Sequence, residues 1–455
     1  MRTDELIHTT FPQSGNGLVI GGIPVDILAE RFGTPLYVYD AGVMDRQWES
    51  LRSLYPPRFA VHYSVKANPN PAILRHFLAL GAGLEIASGG ELRMALAADC
   101  PPPRMLFAGP GKTPAEIELA LDAGVGEIHA ESPLEVERID TIAAQRNQTA
   151  AIALRVNPAE QAQGGAVRMG GKPAVFGIDE EQIGTVIDMA CSRRHIDVRG
   201  VHVYAGSQLL HSDQLLQQYR RGYAIACRAA DCLGQPLRSV DFGGGLGVPY
   251  FAHESPLDLD ALRAGLDALD QLIAADPRVA GARFVIEPGR FLVAAAGVYL
   301  ARVIDVKVSR GTTFVVIDGG LNHHLAASGN LGQVIRRNFP VISADRPFAP
   351  AETTVEIAGP LCTPLDMLAR SLDMPYIEPG ELIAVLQSGA YARTASPLGF
   401  LSHPAPAEVL VGGGKARLIR RRGEADDWVR DCVLHEENHS RAPESRQHDE
   451  AAKGK

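Results

Sequence analysis

The sequence predicts an α/β protein: a closed (β/α)8 barrel followed by an antiparallel β-barrel or sandwich domain. Two observations carry this. From residue 41 to 290, short apolar runs alternate with longer helical stretches, the pattern of a parallel sheet covered on both faces. Beyond 290 that alternation stops, and β-branched runs separated by turn residues take over with little helix between them.

The elements follow in order. Residues 18–39 end in Pro35-Leu36-Tyr37-Val38-Tyr39, an aromatic and β-branched strand that precedes the barrel and is expected to join the later β domain. Barrel strands are expected at 60–64, 84–87, 105–108, 127–130, 150–156, 198–203, 239–242 and 283–286. Helices are expected between them at 71–80, 90–98, 113–123, 133–146 and 180–193. Eight units over roughly 250 residues suit a closed barrel better than an open sheet. The β domain is read from runs at 298–308, 312–317, 353–357, 381–387, 407–411 and 416–420. The expected divisions are an N-terminal segment 1–40, the barrel 41–290, the β domain 291–435, and a polar, disordered tail 436–455 without apolar periodicity.

Composition narrows the function. Net charge is -9 over 455 residues, so a basic footprint for nucleic acid is absent. Apolar runs such as 291–300 are shorter than a membrane span, and Met1-Arg2-Thr3-Asp4-Glu5 opens no hydrophobic signal core. The expected compartment is the cytoplasm, with no membrane partner. Six cysteines show no C-x-x-C pair, and His323-His324 lacks helical ligand spacing, so no metal centre is expected.

Active sites of barrels gather at the C-terminal ends of their strands. Lys66 stands at such an end, one of only 7 lysines against 37 arginines. A lysine with a depressed pKa forms a Schiff base with an aldehyde; a rim lysine that snorkels to water is the alternative. Glu85, Gly109, Arg155, His202, the run Gly243-Gly244-Gly245 and Glu287-Pro288-Gly289-Arg290 occupy other strand ends of the same rim. Consecutive glycines let backbone N–H groups reach an anion, although they serve tight turns equally. Neither G-x-x-x-x-G-K-[ST] nor an opening G-x-G-x-x-G is present. A carboxylate at 287 would keep a pyridine nitrogen protonated, or pair with Arg290 as a rim salt bridge. His202 would lie flat on such a ring, or be a core histidine bonded to Glu85.

Together these residues resemble the fold-type III decarboxylases that use pyridoxal phosphate, the group of the diaminopimelate, ornithine and arginine decarboxylases, whose barrel alanine racemase shares. The resemblance runs from about 35 to 421. Its blocks are Tyr63-Ser64-Val65-Lys66-Ala67-Asn68, Glu85-Ile86-Ala87-Ser88-Gly89-Gly90-Glu91-Leu92, His202-Val203-Tyr204-Ala205-Gly206-Ser207-Gln208, the glycine run, Glu287 to Arg290, Gly359-Pro360-Leu361-Cys362 and Ser388-Gly389-Ala390-Tyr391. The resemblance implies an amino-acid decarboxylase with pyridoxal 5'-phosphate as cofactor. It implies that Lys66 binds the cofactor aldehyde, His202 covers the ring face with Glu85 in support, Arg155 lies near the Schiff-base side, and Glu287 meets the ring nitrogen. Ser207, Gly244, Gly245, the backbone of Gly289 and Arg290, and the Tyr391 hydroxyl would hold the phosphate. Cys362 would reach the site of a second subunit and protonate the substrate carbon after CO₂ leaves, which implies a head-to-tail homodimer.

Two departures bear on the substrate. Diaminopimelate decarboxylases follow the cysteine with Glu-Ser-Gly-Asp or similar, and ornithine decarboxylases with aspartate; here Cys362 is followed by Thr363-Pro364-Leu365-Asp366. The Arg-Pro-x-x-Tyr-like stretch of the lysine-biosynthetic enzymes is replaced by Leu321-Asn322-His323-His324-Leu325-Ala326-Ala327-Ser328-Gly329-Asn330. These segments, with Arg336-Arg337-Asn338-Phe339-Pro340, 395–404 and Arg168-Met169-Gly170-Gly171, resemble decarboxylases that accompany exosortase and exopolysaccharide gene sets. They also resemble the aminoglycoside side-chain decarboxylase that acts on a glutamyl group thioesterified to an acyl carrier protein. The expected substrate is an acidic L-amino acid, free or on a carrier, met by Arg168, Lys172 or Arg290. Free diaminopimelate is the alternative substrate. Racemisation on the same fold is the alternative reaction, disfavoured because the racemases place arginine where Glu287 stands. A cofactor carrier without turnover is a third reading, against which the β domain and Cys362 both weigh.

Overall fold

The structure is a computed structural model that describes residues 2–160, 167–168, 171, 173–204, 206–331, 333 and 335–433. The tail expected at 436–455 and Lys172 lie outside these. The aromatic run near the N-terminus forms β1 (Leu36–Asp40) and stops where the Asp40 carboxylate accepts from the N–H groups of Gly42 (2.8 Å) and Val43 (3.3 Å), capping the helix Ala41–Leu54.

Eight parallel strands then close a ring in chain order: β2 (Phe59–Ser64), β3 (Gly83–Ile86), β4 (Met105–Phe107), β5 (Glu127–Ala130), β6 (Ala150–Asn157), β7 (Ile196–Val203), β8 (Ser239–Asp241) and β9 (Arg283–Ile286). Each pairs with the next, and β9 pairs back to β2. The helices after β3, β4 and β5 begin at Ser88, Thr113 and Ser132, whose hydroxyls accept N–H groups of the first turn. Each such cap stabilises its helix by about 1 kcal/mol, so strand-to-helix turns are fixed locally.

Successive residues of these strands face opposite ways. Phe59, Phe242 and Phe284 pack ring to ring at 5.4–6.2 Å, and Tyr219 of the covering helix Ser212–Leu233 stacks on Phe242 at 5.2 Å. The alternate set is polar. Ser64 meets Glu85, and His129 meets His202, across the inside of the ring. Barrel interiors usually hold layers of branched apolar side chains. Here the upper interior is a titratable network, which the apolar look of the strands did not announce.

The second sheet region is built of β10 (Gly297–Ser309), β11 (Thr312–Ile317), β12 (Val341–Ser343), β13 (Thr353–Ala358), β14 (Met367–Met374), β15 (Leu382–Val385), β16 (Ala407–Gly412) and β17 (Lys415–Arg420). The expectation of a wholly antiparallel domain is corrected: the sheet is mixed. β1 pairs antiparallel with β10 but parallel with β16, and β11 pairs parallel with β13. Parallel neighbours need long connections, and the chain supplies them: everything from 41 to 406 lies between β1 and β16. β14 was also not foreseen. Its sequence, Met-Leu-Ala-Arg-Ser-Leu-Asp-Met, contains no β-branched residue, and antiparallel pairing with β13 decides its conformation. Among the described residues, no helix is long and apolar enough to cross a membrane.

Candidate active site

A cavity opens above the C-terminal ends of the barrel strands. Lys66, Ser207, Gly244, Gly245, Glu287, Gly289, Arg290 and Tyr391, all expected from the sequence, border it together with Ser64, Tyr204, Gln208, Leu246 and Pro288. Lys66 stands in a single helical turn, Val65–Ala67, directly after β2. Both sides of the cavity clamp that turn. Ser64 N–H donates to Pro288 O (3.2 Å), Tyr391 N–H to Ala67 O (2.9 Å), and the Asn68 amide to Gly389 O (3.1 Å). The amine is thereby fixed between barrel and β domain, although its side chain remains half exposed.

Lys66 Nζ lies 3.2 and 3.3 Å from the two oxygens of buried Glu85, and Glu85 also accepts from Ser64 Oγ at 2.6 Å. Burial works to lower the Lys66 pKa, but the Glu85 carboxylate, then Tyr391 and Glu287, outweigh it, and the ammonium is held above its ordinary value. Burial works to raise Glu85, and Lys66 and Ser64 bring it below the usual carboxylate range. Two expectations are corrected here. Without a cofactor the lysine pKa is raised, not depressed, because the counter-ion sits closer than any like charge. Glu85 serves Lys66, while His202 takes His129 as its partner, with Nδ1 to Nδ1 at 2.9 Å.

Glu287 and His202 stand one behind the other. His202 Nε2 is 3.7 Å from Glu287 Oε2, and both side chains are buried. Burial, then the neighbouring His129, pushes the His202 pKa well below its ordinary value, so the ring is neutral. Burial, then the Asp241 carboxylate, pushes Glu287 well above the carboxylate range. Its Oε1 is buried without a hydrogen-bond partner. An unpartnered acid at the floor of a cavity is costly, and a cation brought to it would relieve both the burial and the repulsion.

Opposite, the chain thins to backbone. A Cβ on Gly244 would come within 2.7 Å of Glu287 O, and Gly245 sits at φ +121, where other residues are strained. Arg290 lies 4.6 Å over the Tyr391 ring and donates to the Tyr250 hydroxyl at 3.1 Å, a half-buried cation at the cavity edge. Ser207 is on the two-residue strand Gly206–Ser207, paired with Val167–Arg168, so the Arg168 backbone neighbours the cavity wall. Arg155 is bonded to Glu131 Oε1 at 2.7 Å and lies 6.0 Å from the Tyr204 ring, behind the wall and not on it.

Cys362 does not reach this cavity. It is exposed in the loop between β13 and β14. Asp366 shapes that loop by accepting from Leu361 N–H (2.8 Å) and Leu321 N–H (2.6 Å). Tyr204 and His129 were not singled out from the sequence. Tyr204 lay inside a quoted block, and the Glu127–His129 alternation already turned both side chains inward. The cysteine and histidine spacing suggested no metal centre, yet His129, His202, Asp241 and Glu287 bring ligand atoms within 4.8 Å of one another.

Pyridoxal phosphate fits these residues. Lys66 would meet its aldehyde, the unpartnered Glu287 oxygen its ring nitrogen, and the side-chain-free glycines with Arg290 its phosphate. Comparison with known proteins agrees. The sequence family described as pyridoxal-dependent decarboxylase, pyridoxal binding domain, matches residues 41–294. An L-glutamyl-[BtrI acyl-carrier protein] decarboxylase of Niallia circulans is 38% identical over 419 residues, covering 91% of this chain and 97% of its own. The diaminopimelate decarboxylase of Zymomonas mobilis is 32% identical, covering 92% and 98%. Among solved structures, the M. jannaschii diaminopimelate decarboxylase in complex with L-lysine superposes with a TM-score of 0.84 at 28% identity, covering 92% of this chain and 97% of its own.

Proposed function

Because the chain belongs to the pyridoxal-dependent decarboxylases, we propose that it removes the α-carboxyl group of an acidic aminoacyl unit carried on an acyl carrier protein. The observation that carries this reading is the loop after Cys362. Thr363 stands where the relatives that act on free diamino acids have a carboxylate for the distal end, Leu365 adds no charge, and Asp366 is buried and committed to two backbone amides. The relative from Niallia circulans acts on a carrier-bound glutamyl group, which supports the same substrate class here.

A basic groove beside that loop supports it further. Arg336 and Arg337 are exposed next to His253, Phe251 and Arg370. Arg337 lies 5.8 Å over the Phe251 ring, and Arg336 donates to Asn330 Oδ1 at 2.7 Å. Among the described residues neither guanidinium is paired with a carboxylate. Phe339 connects Phe251 to Tyr250 and so to Arg290 at the cavity. Two guanidinium groups without a carboxylate partner among the described residues, Arg336 bonded to Asn330 and Arg337 to His253, suit the phosphate of a carrier arm.

Bound pyridoxal phosphate supplies the electron sink that takes the electron pair left behind by CO₂. The residues do the rest. Lys66 Nζ would hold the cofactor through its aldehyde carbon, and Glu85, 3.2 Å away, is the carboxylate placed to hold or take the Nζ proton. Glu287 keeps a proton on the ring nitrogen, and neutral His202 covers the ring without adding charge. The glycine loop and Arg290 hold the phosphate. Cys362 Sγ delivers the proton to the substrate Cα. Since Cys362 lies exposed away from its own cavity, it serves the cavity of a second copy in a head-to-tail homodimer. Six free thiols suit the reducing cytoplasm.

The test is CO₂ release from free L-glutamate, diaminopimelate, ornithine, lysine and a glutamyl-loaded carrier protein. Turnover of the loaded carrier far above every free amino acid is expected. Robust turnover of free diaminopimelate would overturn the substrate assignment and leave the decarboxylase class standing.

A further inference from the structure

Beneath the cavity a run of buried polar side chains crosses the inside of the barrel. Ser239 Oγ donates to Glu127 Oε2 at 2.7 Å, and Glu127 Oε1 lies 3.3 Å from His129 Nε2. His129 Nδ1 is 2.9 Å from His202 Nδ1, and His202 Nε2 is 3.7 Å from Glu287 Oε2. Asp241 Oδ2 stands 4.0 Å from His129 Nε2. Glu127, His129, His202, Asp241 and Glu287 are each at most 5% exposed. Nothing in the reaction outlined above uses His129, Glu127 or Asp241.

A 2.9 Å gap between two imidazole nitrogens holds one proton. With the cofactor bound, Glu287 is the acceptor for the ring nitrogen; if His202 donates the shared proton, its Nε2 is a bare lone pair facing that acceptor from 3.7 Å in a dry interior. If His129 donates it, His202 Nε2 carries the proton and faces Glu287 as a donor. The second arrangement puts the proton on His129 Nδ1, with Glu127 and Asp241 beside its Nε2. We propose that His129 is a positioning residue: by donating from Nδ1 it fixes His202 as the Nε2–H tautomer and thereby keeps Glu287 an acceptor for the ring nitrogen. The groups that face this pair are Glu127 on its own strand, Glu85 on β3, Asp241 on β8, His62 on β2, Arg155 on β6, Lys66, and Lys112, whose Nζ donates to His129 O at 2.8 Å. The inference rests on the cofactor assignment but not on the substrate proposed.

Two substitutions separate the tautomer role from simple packing. An asparagine amide overlies histidine Nδ1, and a glutamine amide overlies Nε2. His129→Asn therefore keeps a donor for His202, whereas His129→Gln keeps the Glu127 contact and loses it. Nitrogen-15 histidine spectra of the enzyme, before and after cofactor removal, report the His202 tautomer. Absorbance of the loaded enzyme against pH reports the cofactor's protonation. Wild type and His129→Asn are expected to show His202 protonated at Nε2 and similar absorbance midpoints. His129→Gln is expected to move His202 to the Nδ1–H form and to shift the midpoint, with a kcat at least tenfold lower and KM little changed. Nδ1–H His202 in the wild type would overturn the proposal, and so would indistinguishable Asn and Gln variants. Loss of cofactor absorbance in the wild type itself would instead remove the cofactor assignment on which it stands.

Discussion

At Lys66 the group that must attack an aldehyde is stored as an ammonium, because Glu85 lies 3.2 Å away and outweighs burial. Replacing Glu85 by Gln removes that counter-ion. The pH at which half of the cofactor-free enzyme reacts with pyridoxal phosphate should then fall, read as growth of Schiff-base absorbance; a midpoint that stays or rises would show that Glu85 does not set the lysine charge. Glu91 offers a stability test. Burial, and next the Glu85 carboxylate, push its carboxyl up to about 7. A raised acid means that the folded chain keeps a proton the unfolded chain releases between its ordinary value of 4.5 and about 7. Stability is therefore lost as pH rises through that window. On the order of 3 kcal/mol is involved at 1.36 kcal/mol per pH unit. Glu91→Gln should flatten this slope, so wild type and variant, compared by denaturant melts at pH 5 and pH 8, should differ in favour of the variant only at the higher pH.

At the scale of elements, the loop between β13 and β14 depends on one buried carboxylate. Asp366 accepts from Leu321 and Leu361, and the two glycines facing it, Gly320 and Gly359, have no room for a side chain: a Cβ at either would approach its oxygens within 2.4 Å. Asp366→Ala would leave two buried N–H groups without acceptors, at about 1–3 kcal/mol each. The expected result is a thermal midpoint lowered by several degrees and a reduced kcat, because Cys362 loses its fixed approach. Retained kcat at full folding would show that the loop holds its shape by other means. The Lys66 turn is built likewise, its carbonyl and Asn68 tied to the 389–391 segment of the β domain. Neither clamp is visible in local sequence preference, since each joins residues that lie far apart in the chain.

The whole molecule presents a cavity with Lys66 and an exposed Cys362 outside it. If sites are shared in a head-to-tail dimer, Lys66→Ala and Cys362→Ala should each be inactive or nearly so. Unfolding and refolding them together at equal amounts should restore activity, because each mixed dimer regains one intact site. Random pairing makes half the dimers mixed with one working site in two, so recovery should approach about one quarter of wild type. No recovery, with dimers confirmed by sedimentation, would place the proton donor within one chain.

Much of this was legible in the chain. Short apolar strands between capped helices marked eight barrel units, and their polar ends named Lys66, Gly244, Gly245, Glu287, Gly289 and Arg290 of the cavity border, because strand direction puts strand ends on one rim; Ser207 and Tyr391 came only from the family resemblance. The switch at 290 to β-branched runs marked the second region. What the sequence left open depended on partners remote along the chain. The parallel pairing of β1 with β16 joins strands that the whole barrel separates in the chain. The partner of Glu85 was misread because two inward side chains, Lys66 and His202, compete for it, and only tertiary distance chooses. His129 looked like one more strand residue; the closing of the ring sets it against His202 and turns an apolar-looking strand into part of a buried proton chain. Side-chain chemistry and period are local properties and are written in the sequence. Charge states and pairings in a low-dielectric interior are collective, and the tertiary structure decides them.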